Sequence, residues 1–482
     1  MATINTNVPA LTAQAYLRAA HRDLQATLER LASGLKINRG ADDPAGLIIS
    51  ENLRADIAAV GQAIDNTQRA SLVISTAEGA LNEVNALLID IQDLIVQAAN
   101  RGAMSDDEIQ ANQLQINSAV DSITRISNTT TFAGRKLING ELDYVTSGVP
   151  WSAIGALQIH QAQFGNRTYI PVQVNVTQSA QHGELLFTSG RLLDGVSIDL
   201  AGNLGTVSLT FRASATASEM VAAINVVSDA TGVSAVLSSD PNRGFRLLSR
   251  GFGTDQWVSV RTLPNAAGAT MDMYARDSGG ALSKVERDYG QDAQATINGA
   301  NSIGRGQNLI LNTSTLNIDL TLADDFGTGS FNFAITGGGM LFQVGPEVNT
   351  NLQVNLGIPS MAANRLGNRS LGYLSQIVTG GEYSLVAGGE TRAQKIVAEA
   401  LRQVAATRGR LGAFERNTLD TNINQLQITL ENLTASQSAI RDADFAEETS
   451  RLTRNQILVN VGNTVLAIAN ATPQTVLALL GS

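Results

Sequence analysis

Three histidines, two acidic pairs and no cysteine are the raw material for chemistry in this chain of 482 residues. His21, His160 and His182 lie far apart, without the His-Glu-x-x-His spacing that sets two imidazoles one helical turn apart around zinc. Asp106 with Asp107, and Asp324 with Asp325, occur in turn-like sequence, where solvated turns are the simpler reading than carboxylates sharing acid and base roles. No glycine-rich phosphate cradle follows a strand pattern. Without cysteine there is neither a thiolate metal site nor a disulfide. These residues assemble no catalytic constellation. The expectation is a protein that is not an enzyme and has no cofactor or metal, so the informative positions are the apolar ones.

Those positions fall at helical spacing near both ends of the chain. Through residue 131 the only aromatic is Tyr16, and from 391 onward the only ones are Phe414 and Phe445. Leu17, Leu24, Leu28, Leu31 and Leu35 come after Pro9 in a seven-residue pattern. Gly34, Gly40 and Pro44 punctuate the chain, and Asp42 or Asp43 can cap the next helix. That second helix is expected from about Pro44 to Asn100, with a 3–4 seam at Leu81, Val84, Leu88, Ile91 and Ile95. Ser105 with Glu108 forms a capping box for a third, carried by Ile109, Ile116, Val120 and Ile123.

The C-terminal counterpart opens near Thr391 and runs through Leu401, Val404 and Leu411 into Leu419, Ile423, Leu426, Leu430, Leu433 and Ile440. Past an acidic joint at 442–448, Leu452, Ile457, Val461, Val465 and Ile468 share one side before Pro473 and an apolar ending. Helices without large core residues need partners. The simplest arrangement folds the chain back, pairing N-terminal with C-terminal helices as an antiparallel, coiled-coil-like rod. Everything between is then an insertion. There, 169–177, 184–187, 207–211, 233–237, 258–260, 309–322, 331–335 and 341–344 read as strands and 220–227 as a short helix. The fold class is α+β.

Charged residues make up 16% of the chain, against a typical ~25%. Such a surface packs on copies of itself at modest desolvation cost. A net charge of −10 argues against nucleic acid, whose phosphates call for a basic stripe. Residues 1–9 lack the basic and apolar regions of a conventional secretory signal. No uninterrupted apolar stretch reaches the ~18 residues of a membrane span, so no membrane insertion is expected.

Several segments, in order and at both ends, resemble bacterial flagellins, the filament proteins of the flagellum. They are INTN at 4–7, LASGL at 31–35, IN at 37–38, ADDPAG at 41–46, ALNE at 80–83 and VQAAN at 96–100. At the other end they are RLGAF at 410–414, SAIRDADF at 438–445 and QIL at 456–458. In the centre, AAIN at 222–225 and GVSA at 232–235 resemble a module of flagellin insertions and other axial flagellar proteins.

The resemblance implies an inner helical domain of residues 1–45 and 447–482, a helical rod domain with a β-hairpin region at 46–165 and 340–446, and a surface-exposed domain at 166–339. It implies non-covalent polymerisation, with many copies of the chain itself as partners and Leu24, Leu28, Leu31, Leu35, Asn38, Arg39, Asp42, Arg410, Phe414, Ile457, Val461, Val465 and Ile468 as the assembly interface. Further implied partners are an export chaperone, the type III export gate, and the hook-associated junction and cap proteins; the location is the extracellular filament. A junction protein or an adhesin on a similar rod are the alternatives. In some relatives an animal innate immune receptor reads the N-terminal helices, where an arginine sits among polar partners. Here the matching surface is Leu88, Asp90 and Asp93, and the negative Asp90 argues against receptor activation. Asn166 and Asn175 begin Asn-x-Thr sequons.

Overall fold

The computed structural model describes residues 6–165, 167–238, 244–263, 270–276, 281–313 and 315–480, with side chains as far as 472. Ile4, Asn5, Asn166 and the side chains of the apolar ending lie outside the described residues. Eight helices are described, with sheets only between the terminal ones, an α+β arrangement. The chain forms two compact units. One gathers the residues up to Ser71, Gln343–Leu352 and those from Arg416 onward; the other holds Leu72–Phe342 and Gln353–Glu415.

In the first unit α1 (Val8–Ser33) starts where the Asn7 side chain accepts from Ala10 N at 3.1 Å, with proline in the first turn. It stops at Gly34, whose φ of +73° makes the left-handed cap that glycine adopts without steric cost. The expected leucine heptad splits on folding. Ala13, Leu17, Ala20, Leu24, Thr27 and Leu31, spaced alternately four and three, are buried or half-buried. Leu28 points away and is 48% exposed.

The partner is α8 (Phe445–Leu480), whose own seam runs Leu452, Asn455, Val459, Gly462, Leu466 and Ala469. Asn7 Nδ2 donates to Ala469 O at 2.8 Å, Asn455 Nδ2 to Thr27 Oγ1 at 3.1 Å, and Arg30 pairs with Glu448 at 3.5 Å. These partners run in opposite directions along the chain, so the two helices are antiparallel. Gly462 lets Leu17 lie against the α8 backbone. Beyond the helix ends, Lys36 N donates to Arg441 O at 2.7 Å and Ala443 N to Gly34 O at 2.9 Å, tying the two linkers together.

Asp43 caps α2 (Pro44–Ala98) by accepting from Gly46 N at 2.9 Å. Asp42 instead closes the preceding turn, accepting from Asn38 N at 3.0 Å and Arg39 N at 2.9 Å. Those two bonds hold its carboxyl below the ordinary range. Along α2 the seam is longer than the sequence reading placed it: Val60, Ala63, Thr67, Ala70, Ile74, Ala77, Leu81, Val84, Leu88, Ile91, Ile95 and Ala98 alternate three and four without a break, and all are buried. Alanines at several of these positions hid the pattern. In the first unit, Val60, Ala63 and Ile64 pack with Leu426 of α7 (Thr421–Arg441). By length and hydropathy α2 is apolar enough to cross a membrane, and beside its buried seam it also exposes Ile48, Ile49, Leu72, Ile89 and Val96.

In the second unit α3 (Asp106–Thr129) opens on the expected capping box of Ser105 and Glu108 and buries Ile109, Ile116, Val120 and Ile123. Asp106 and Asp107 lie in its first turn, where negative charge suits the helix dipole. Helix α6 (Glu390–Phe414) buries Ile396, Val397, Ala400, Val404 and Leu411. A π-helical turn, Glu415–Asp420, comes after it and before α7.

The insertion consists of two nested sandwiches rather than one domain. In the outer, the antiparallel sheet of Ala300–Asn301, Gln294–Ile297, Ile170–Gln178, Gly329–Gly338 and Tyr144–Ser147 shares a core with the sheet of Ile303–Arg305, Asn308–Asn312, Leu316–Leu322 and Ile154–Ala162. Tyr144–Ser147 and Ile154–Ala162, placed by the sequence reading in the rod domain with its β-hairpin region, pair with strands of the insertion. Their alternation is too weak to register as a strand signal.

The inner sandwich is inserted between Gln178 and Gln294. One sheet is Leu282–Lys284, Tyr274–Arg276, Glu184–Phe187, Phe245–Ser249 and Val233–Leu237. The other is Arg287–Tyr289, Trp257–Leu263, Val196–Gly202 and Thr206–Phe211. Helix α4 (Ala217–Val226), which leads into the short α5 (Ser228–Thr231), contributes Met220 and Ile224 to the core between them.

The neck is tight. Gln181 and Gln291 exchange backbone bonds of 2.8 and 3.0 Å. Asp292 accepts from Thr254 Oγ1 and from Gly306 N, both at 2.6 Å. Gly253, at φ +102°, sits where a Cβ would come within 2.6 Å of Gly306 Cα.

This packing can be tested at two glycines. Gly462→Leu should lower the melting temperature read by far-UV circular dichroism, overpacking costing about 1–3 kcal/mol against a helix-propensity gain of about 1 kcal/mol. Gly462→Ala, which asks only the end of Leu17 to yield, should melt at or above the parent temperature. Gly253→Ala should cost about 1–3 kcal/mol through backbone strain and a clash at the neck. It should lower the urea midpoint and speed amide exchange at 252–256 and 290–292, and parent-like exchange there would refute the tight-neck account.

Candidate functional site

Two kinds of apolar surface coexist on the terminal helix pair. The seam between α1 and α8 is consumed internally. On α8, Ile457, Val461, Val465 and Ile468 share the expected face and turn away from α1, being 56, 51, 46 and 63% exposed, whereas Leu452, expected on the same side, lies on the internal seam. A 440 Å³ depression lined by Ser450, Thr453, Arg454, Ile457 and Leu458 lies on this side. On α1, Val8, Leu11 and Leu28 are likewise exposed. A helix that is apolar on two sides must bury both, and only one is covered here.

The remaining interface candidates divide by environment. Leu24, Leu31 and Leu35 are half-buried, the first two on the α1 seam. Arg39 is exposed and grips Glu29 through Nε and Nη2 at 2.9–3.1 Å. Asn38 and Asp42 build the turn already described. Arg410, expected to meet neighbouring subunits, is instead occupied within the chain. Its Nη2 donates to Asp319 Oδ2 at 2.8 Å and its Nη1 meets His160 Nδ1, fixing α6 to the outer sandwich. Phe414 is half-buried, its ring 6.5 Å from that of Phe342.

One further correction concerns the surface compared with a receptor site. Asp90 and Asp93 are exposed, but Leu88 is 0% exposed because it falls on the 3–4 seam of α2. It cannot form part of that surface in this conformation.

The candidates for chemistry are dispersed. His21 is exposed on α1. His182 lies against the ring of Phe252, with Nδ1 3.0 Å from Gly251 O. Asp324 accepts from Gln307 at 3.1 Å. Among the described residues no three of His, Asp or Glu are grouped to hold a metal ion.

His160 is the exception that sequence spacing could not reveal. It is buried, with Nε2 3.2 Å from Asp319 Oδ2, close enough for attraction though poorly aligned for a hydrogen bond. Burial pushes the imidazole below its ordinary value; Asp319 opposes this and the Arg410 charge adds to it. Burial raises the Asp319 carboxyl, but His160 and Arg410 outweigh it and hold that group low.

Comparison with known proteins agrees with this architecture. The N-terminal helical region of bacterial flagellin matches residues 4–143 and the C-terminal helical region matches 394–480. The flagellin hook IN motif matches 196–247, inside the inner sandwich. Flagellin E of Vibrio cholerae serotype O1 is 30% identical over 478 residues, covering 99% of both chains. Flagellin A of Vibrio anguillarum is 29% identical over 485 residues with the same coverage. A solved hook-associated protein-3 from Legionella pneumophila is 12% identical and superposes with a TM-score of 0.31 over 81% of this chain and 98% of its own. Helices at both ends, sheets between them and a relative 30% identical along the whole length establish that the chain belongs to the bacterial flagellin family and is a structural subunit of the flagellar filament.

Proposed function

We propose that this subunit polymerises through the uncovered apolar faces of α1 and α8, with Leu28, Ile457, Val461, Val465 and Ile468 buried by neighbouring copies. The observation that carries this reading is the exposure of four large apolar side chains on one face of a helix whose opposite face is already packed. Full burial of such a side chain is worth about 1.5–3 kcal/mol, and with 46–63% of each still exposed on α8 roughly half of that remains to be gained. Ordering costs of roughly 1–2 kcal/mol per residue offset part of that wherever segments fold on assembly. Leu24, Leu31 and Leu35 hold the pair together so that the faces are presented, while Asn38, Arg39 and Asp42 shape the turn after α1. Phe414 remains part of the proposed interface; Arg410 reaches it only by leaving Asp319 and His160.

On the same reading residues 1–45 and 447–482 form the inner layer of the filament, 46–165 and 340–446 an outer helical layer, and 166–339 a part facing solvent. The unassembled chain is delivered by an export chaperone to the type III gate and leaves through the flagellar channel. In the extracellular filament it is flanked by junction and cap proteins.

Seeding full-length protein with short filament fragments tests the assembly face. Val461→Asp should leave the monomer's melting temperature within a degree or two while abolishing elongation seen by electron microscopy, because a charge is stranded in an interface that exists only between copies. Val459→Asp, on the internal seam, should instead lower the melting temperature itself. Growth of Val461→Asp at the parent rate would sink the proposal.

A further inference from the structure

A buried imidazole wedged between a carboxylate and a guanidinium on two other elements stands apart from the faces of α1 and α8 proposed to polymerise. His160 stands on the strand Ile154–Ala162, Asp319 on its antiparallel neighbour Leu316–Leu322, and Arg410 on α6, 250 residues from His160 in sequence. We propose that these three side chains form an acid-released latch that holds α6 on the outer sandwich.

Donor chemistry fixes the protonation state. Arg410 is always charged and only donates, so its contact at His160 Nδ1 requires that nitrogen to carry a lone pair. The neutral tautomer with hydrogen on Nε2, facing Asp319, is the one that fits. A proton added to Nδ1 turns the contact into donor against donor beside a second positive charge. His160 is 6% exposed while the Arg410 side chain is 39% exposed, so water screens part of the repulsion, and what remains still disfavours the added proton. Attraction between the imidazolium and Asp319 offsets part of this, but Asp319 already serves Arg410 at 2.8 Å.

No other group facing the cluster takes over. On α6, Arg402 adds positive charge and is itself paired with Glu399 at 2.6 Å. The adjoining strand Gln353–Leu356 carries no titratable side chain. Tyr144 sits nearby with its hydroxyl accepting from Ala162 N at 2.9 Å, and burial pushes its ionisation far up, so it stays neutral. Asp143, beside it, is also pushed up by burial and approaches neutrality as the pH falls.

Linkage sets the direction of the response. The imidazole is depressed in the folded state, so the latch contributes fully above the free histidine value of about 6.5 and weakens as the pH falls below it. Between the free and folded values the opening equilibrium rises by up to about tenfold per pH unit.

The test is hydrogen exchange on unpolymerised full-length protein from pH 7.5 to 5.0, corrected for the intrinsic rate and read on peptides spanning 316–322 and 402–412. The parent should lose protection in both peptides below about pH 6.5. His160→Gln, whose amide can accept from Arg410 and donate towards Asp319 at any pH, should lose that step. Asp319→Asn should exchange faster in 402–412 already at pH 7.5. An independent reading comes from the imidazole carbon resonances, with three histidines assigned through His21→Gln and His182→Gln. The His160 midpoint should lie below the free value and mark the pH towards which the loss of protection levels off. A flat parent profile, an unchanged step in His160→Gln, or a His160 midpoint at or above the free value would each overturn the latch.

Discussion

A long, charge-poor helix with an apolar stripe must find another stripe or stay unfolded, and in this chain α1 finds it more than 400 residues away on α8. That closure makes the intervening residues an insertion between two ends that meet. Small and polar residues, rather than bulk, shape the seam. Gly462 admits Leu17, and the Thr27–Asn455 hydrogen bond marks the register much as a single buried polar residue does in a coiled coil. Glu448, 4% exposed and held by Arg30 and Arg451, adds a buried charge near the start of α8, where the helix dipole favours it. Displacing either helix by one turn would take Arg30 from that carboxylate and leave it only Arg451 of its own helix.

The same economy of large residues leaves apolar faces uncovered. A globular protein with Ile457, Val461, Val465 and Ile468 in water would be at risk of uncontrolled association. In the assembly proposed here, neighbouring copies would supply the second stripe. Internal seam and external face are both three-to-four repeats on the same helix, offset around its axis, which lets one element serve two partners.

The sandwiches obey a different constraint. Their strands are held by ordinary alternation, but the passage from outer to inner depends on backbones that approach more closely than side chains permit, at Gly253 and Gly306 with Asp292 between them. Helix α6 is fixed to the outer sandwich by charges rather than by apolar contact alone. Removing one member of the cluster leaves buried His160 or the half-buried Asp319 and Arg410 without full compensation, so the attachment responds to protonation where an apolar contact would not.

The sequence alone determined the helical ends, their capping and their need for partners, because apolar periodicity, the Ser105–Glu108 box and glycine at 34 act locally. It also identified the family, through segments that recur in order at both ends. It could not separate the leucines that face α8 from Leu28, which faces out, since both sets satisfy a helical spacing and only the partner's position chooses between them. Leu88 was read both as a seam residue and as part of a matching surface, and only the packed helix shows that the first excludes the second. The neck glycines, the two-sandwich nesting and the pairing of His160 with Arg410 were invisible for one physical reason: each depends on groups brought together by the folded chain, where distance in space bears no relation to spacing in sequence.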